Sequence, residues 1–170
     1  QIATLAQRSL ESVAPLPDDL DIRIEVGEDQ ATNLVRVASL SPLVLAVDGG
    51  AIEHYKVPRT LGELESRITF TRLLLEVADR LSASFAGPSL DDDLTHAHRM
   101  AWDVNLHGRT ARHGLRIHQP RYRYNFRNRH GFSDRADRIF DQLWAADELT
   151  WPQIQELSDQ AVDPVNPSVP

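Results

Sequence analysis

Residues 60–84 read TLGELESRITFTRLLLEVADRLSAS, and the rest of the chain is organised around them. Thr60 followed three residues later by Glu63 has the spacing of a capping box, which predicts a helix start. Wound on a helical period, Glu65, Arg72, Glu76, Asp79 and Arg80 share one narrow charged stripe. Leu61, Leu64, Ile68, Phe70, Leu73, Leu74, Leu75, Val77 and Leu81 fill most of the remaining circumference. A helix apolar over so much of its surface has to be covered on more than one side. A central helix is therefore expected near 61–83.

On its N-terminal side, Ile2 to Val13 reads as a short helix ended by Pro15 and Pro17. Leu20 to Val26 alternates, with Leu20, Ile22, Ile24 and Val26 on one face and Asp21, Arg23 and Glu25 on the other, which predicts a half-buried strand. Asn33 to Leu40 reads as a second strand with Val35 and Val37 inward. Leu43–Val47 and Ala51–Tyr55 flank Asp48-Gly49-Gly50, a hairpin signal.

On the C-terminal side, Asp91, Asp92 and Asp93 suit a helix N-terminus, and the helix is expected to run to about Gly114. Its stripe of Ala97, Ala101, Val104, Gly108, Ala111 and Leu115 lets another backbone come close, and the central helix is the expected neighbour. Residues 121–127, RYRYNFR, alternate again, predicting a strand with Tyr122, Tyr124 and Phe126 in the core and Arg121, Arg123 and Arg127 outward, near Asp21 and Glu25. Ser133 caps a helix through about Ala146, and Thr150 with Gln153 caps another ending near Ala161. Strands clustered before helices predict an α+β fold, a small antiparallel sheet against a helical layer. A single domain is expected over 1–162, with a flexible tail over 163–170.

No cysteine is present, which removes disulfides and thiolate chemistry. No run is apolar enough to span a membrane, so a soluble, cytoplasmic protein without a membrane partner is expected. Beginning at Gln1, the chain reads as a processed product or a fragment. Dinucleotide, P-loop, zinc-protease, nucleophile-elbow and EF-hand signatures are missing. The net charge of −7 is unevenly placed: residues 96–138 hold 10 arginines against 3 acids, and six of the seven histidines.

Three readings follow. The first is a non-catalytic binding domain that contacts an acidic protein or phosphate-bearing ligand through Arg121, Arg123, Arg127, Arg129 and His130. The second is a metal-dependent hydrolase. On the 92–114 helix, His96, Asp103 and His107 share a flank, with Asp93, His118 or His130 to complete a shell for zinc or a similar divalent ion. The third is a structural or assembly subunit, a homo-oligomer being one form of it, whose charge blocks serve only pairing within and between subunits. The helix from Trp151 carries acids and no base, which argues against sequence-specific DNA binding.

Overall fold

The computed structural model describes residues 1–13, 16–17, 20–27, 33–57, 59–90 and 94–162; Asp93 and the tail at 163–170 lie outside them. In chain order the elements are α1 (Ile2–Ser12), β1 (Ile22–Gly27), β2 (Val35–Leu40), β3 (Leu43–Asp48), a short 3₁₀ turn (Gly49–Ala51), α2 (Glu63–Leu81), α3 (His96–Arg112), α4 (Gln119–His130), α5 (Asp134–Ala145) and α6 (Trp151–Ala161). The fold is α+β. The chain falls into two compact units, residues 1–81 and 82–170.

The first unit holds every strand found among the described residues. Its sheet has the order β1-β3-β2, so the last strand sits in the middle. That position suits LVLAVD, a near-continuous apolar run that is buried along almost its whole length. β2 pairs with β3 antiparallel, as expected, whereas β1 joins on the other side in parallel, making the sheet mixed. β1 keeps the predicted alternation, with Arg23 and Glu25 exposed and Ile22, Ile24 and Val26 half-buried. The predicted hairpin at Asp48-Gly49-Gly50 does not form. The Asp48 carboxylate accepts the Leu34 N–H at 3.1 Å, and the Asp48 N–H donates to the Leu34 carbonyl at 2.9 Å. Those bonds tie Asp48 to the start of β2. The chain then turns out of the sheet, leaving one isolated bridge, Glu53 with Leu61.

α2 covers the sheet of this unit, packing on α1 and β2. Phe70, Leu73, Leu74 and Val77 lie at 2% exposure or less, as a central helix requires. Ser66 and Thr69 hydroxyls donate to the carbonyls of Ile52 and Ala51, at 3.4 and 2.8 Å, anchoring the helix to the 3₁₀ turn. Two expectations are corrected. The helix starts at Glu63, because the Gly62 N–H is held by the Ile52 carbonyl at 2.8 Å and the Thr60 carbonyl accepts from His54, which leaves Thr60 outside the helix. The charged stripe is in part buried: Glu76, fully enclosed, is clamped by Arg72 at 2.9 Å and Arg80 at 2.8 Å, one helical turn to either side. Paired on both flanks, that carboxylate tolerates its desolvation.

The second unit is helical, α3 to α6. Thr95 caps α3, its hydroxyl accepting the His98 N–H at 3.2 Å. Trp102, Val104 and Leu106 are fully buried, and Phe85, Trp102 and Trp151 form an aromatic cluster with centroids 5.0–6.1 Å apart. Of the small-residue stripe, Ala101, Val104, Gly108 and Leu115 are buried while Ala97 and Ala111 are half-buried, and at Gly108 the neighbour it admits is α5. A Cβ added there would stand 2.1 Å from the Trp144 carbonyl oxygen. α3 also closes the C-terminal end of α5. Asn105 Nδ2 donates to the Leu143 and Ala146 carbonyls at 3.0 and 2.9 Å, and Arg112 donates to those of Trp144 and Ala146, both at 2.6 Å. These donors satisfy carbonyls that a helix end leaves open.

Residues 121–127 are not a strand but the body of α4. Pro120 enters in the first turn, where its missing N–H is harmless, and Gly131 ends the helix at a φ of 106°. The buried stripe is Phe126 and His130, four residues apart. Among the described residues no helix is long and apolar enough to cross a membrane.

Candidate functional site

Helical winding divides the α4 side chains among three directions. Toward the core go Phe126 and His130, with rings stacked at 3.9 Å and both fully buried. The carbonyl of Phe126 can only accept, so at 3.1 Å it accepts a hydrogen bond from the N–H of His130 Nδ1. His130 Nε2 is then the acceptor for the Ser158 hydroxyl on α6, at 2.9 Å. Burial, foremost, pushes the His130 imidazole down to about 4, with Arg129 and His98 adding in the same direction against the Phe126 hydrogen bond and Asp159. The ring is neutral at pH 7.

Toward α5 go Arg123 and Arg127. Arg127 Nε donates to Asp137 Oδ1 at 2.7 Å, and a second guanidinium nitrogen meets Oδ2 of the same carboxylate, a bidentate fork. The hydrogen bond from Arg127 holds Asp137 below the usual carboxylate range, and the Arg127 guanidinium is raised in return. Arg123 pairs with Asp141, lies 3.7 Å from Asp137, and rests over the Phe140 ring at 4.3 Å. The expected neutralisation of these arginines is real, but it comes from α5 and not from Asp21 and Glu25. Glu25 pairs instead with Arg23 of its own strand, at 3.2 Å.

Outward go Arg121, Tyr124 and Asn128, all exposed and spaced along one face of the helix. Just beyond the helix end, Phe132 returns to Tyr124, with ring centroids 5.9 Å apart and edge-on. Tyr124 is 58% and Phe132 65% exposed. This ring pair escaped the sequence reading because alternation assigned Tyr124 to the core. Read at the helical period, the spacing of Arg121, Tyr124 and Asn128 would have put charge and ring on one open face. Arg129 is half-buried on the same helix.

The flank of α3 does not assemble a metal shell. His107 Nδ1 donates to the Asp103 backbone carbonyl at 2.7 Å, and its ring lies 4.0 Å from that of Tyr122. The Asp103 carboxylate faces Arg99 at 3.5 Å. His96 is exposed in the first turn, and His118 is exposed at the entry to α4. Among the described residues no three His, Asp or Glu side chains gather where they could hold a metal ion. His98 pairs instead with Asp159 on α6, at 3.0 Å. Charge pairing between helices is thus the chemistry that this unit visibly performs. No protein-family model, curated protein or solved structure matches the chain.

Proposed function

We propose that the chain is a non-catalytic interaction domain, in which α4 presents a cationic, aromatic face to an acidic or phosphate-bearing partner. The observation that carries this reading is the exposed Tyr124–Phe132 ring pair beside Arg121. It lies in a stretch, 104–133, with seven arginines and no acid. Aromatic rings and arginine are the side chains enriched where proteins are covered by partners. Arg121 offers a planar donor fork for carboxylate or phosphate, and the rings offer flat apolar area next to it. Arg123 and Arg127 serve as braces that fix α4 against α5, while Arg129 adds to the positive potential. His130 holds the helix to α6. The His130–Ser158 pair is sealed from solvent and so is not offered to a substrate.

Immobilised heparin, a polyanion, provides the test. The intact chain, although acidic overall, is expected to be retained at low salt and released as salt rises. Arg121→Gln/Tyr124→Ser should elute at clearly lower salt. Arg138→Gln removes the same charge from an exposed position on α5 and should leave the elution point where it was. No retention, or equal shifts for the two variants, would sink the assignment of the α4 face.

A further inference from the structure

Because β3 lies in the middle, the sheet ends in two edges, β1 and β2. An open edge strand is a template for another chain, and folded proteins blunt such edges with bulges, prolines or lysines. β2 carries a bulge between Val37 and Ser39. β1 has no bulge, proline or lysine, and its two exposed charges, Arg23 and Glu25, are of opposite sign. Its six residues, IRIEVG, run in unbroken register with β3, and among the described residues β3 is its one strand partner. The apolar row also stops short there. Leu43, Leu45 and Val47 of β3 are 1–2% exposed, whereas Ile22, Ile24 and Val26, beside them in register, are only half-buried.

We propose that a second copy of this chain docks on β1, antiparallel, about a two-fold axis through Ile24. Pairing centred there sets Ile22 opposite the partner's Val26, Arg23 opposite the partner's Glu25, and Glu25 opposite the partner's Arg23. Arg23 and Glu25 share one face of the strand, with side chains 72% and 52% exposed. An isologous interface needs a self-complementary surface, and this order of charges is one. Opposite charges directly across a strand pair stabilise it and like charges destabilise it. Centring the pair on Arg23 or on Glu25 would set like on like, as would parallel pairing in register. Centring it between residues would oppose the isoleucines to charged groups. Among registers centred from Arg23 to Glu25, the charge pattern therefore selects the one through Ile24. This inference is independent of the α4 face and stands or falls separately.

Sedimentation equilibrium of the intact chain at low salt, over a range of concentrations, tests it. The wild type should show a monomer–dimer equilibrium. Arg23→Glu and Glu25→Arg, both at exposed positions, should each keep the far-UV spectrum of the fold and weaken the dimer about tenfold or more. An equimolar mixture of the two variants should associate again, because every cross-strand pair then joins opposite charges. A wild type that stays monomeric near millimolar concentration overturns the proposal. So does a dimer that neither reversal weakens, or a mixture no tighter than its components.

Discussion

Acidification should loosen the helical unit through His130, and the size of the effect follows from where the ring sits. Its folded-state value is about 4, against 6.5 for a free imidazole. Above pH 6.5 the ring is neutral in both states and contributes no pH dependence. Between 6.5 and about 4 the unfolded chain binds a proton that the folded chain refuses, so stability falls as pH falls. Below about 4 both states are protonated and the loss is complete. That interval corresponds to about 3 kcal/mol, a large fraction of what holds a small unit together. The cause is geometric. Both ring nitrogens are already committed, Nδ1 as donor to the Phe126 carbonyl and Nε2 as acceptor from Ser158, in a site with no exposure. Urea titrations followed by tryptophan fluorescence report on this unit, because Trp102, Trp144 and Trp151 all lie within residues 82–170. The comparison is wild type against His130→Gln, at steps from pH 7.5 to 4. The variant should be the less stable at pH 7.5, and the difference should narrow by about 3 kcal/mol as pH falls. Other titrating groups cancel between the two proteins. A difference that stays constant with pH, or a His130 titration by NMR near 6.5, would refute the reasoning.

Other substitutions test the packing of the same unit. Gly108→Ala would ordinarily favour a helix by roughly 0.5–1 kcal/mol. Here the new Cβ meets the Trp144 carbonyl oxygen at 2.1 Å, so stability in urea should instead drop by about 1–3 kcal/mol, and a rise in Tm would contradict the contact between α3 and α5. Ala101→Leu, at a site with no exposure, should cost about 1–3 kcal/mol by overpacking, and an unchanged melting curve would place Ala101 elsewhere. Arg127→Gln and Asp137→Asn should each lower Tm, and the double variant should lose less than the two single losses combined, because the fork joins the two groups. Additive losses would mean that the ion pair holds nothing. Asp137 is depressed in the folded state, so its contribution should be present above the usual carboxylate range and disappear as pH falls through its lowered value.

Much of the fold was legible because its signals were local. β1 showed its alternation, Ser133 and Thr150 announced their helices, and the apolar girth of residues 61–83 marked a helix that is covered on several sides. What escaped depended on contacts between distant residues. Nothing within Asp48-Gly49-Gly50 reveals that Leu34 will hold the aspartate and end the strand. Nothing in the order of residues places Gly108 against the carbonyl of Trp144, although the small side chain does announce that some backbone comes near. The Asp103 and His107 spacing was real as well. Yet the imidazole turned to the backbone one turn back and the carboxylate faced Arg99, so two groups of suitable chemistry never met at one point.

The misreading of RYRYNFR has a cause that reaches the functional proposal. Residues four apart lie on the same face of a strand, which repeats every second residue, and nearly on the same face of a helix, which repeats every ~3.6. Tyr122 with Phe126, and Arg123 with Arg127, therefore satisfy both periods, and those pairs make up most of the segment. Residues two or three apart separate the two. Arg121 and Tyr124, three apart, sit on opposite faces of a strand and on one face of a helix. Pro120 and Gly131, bracketing the segment, are the punctuation of a helix. The choice of period also decides function. As a strand, the segment would bury its rings and leave the arginines alone outside. As α4, it turns Arg123 and Arg127 to the acids of α5 and brings Arg121 and Tyr124 to the open face beside Phe132. The same winding that answers Arg123 and Arg127 from within brings Arg121 and Tyr124 together on the open face of α4.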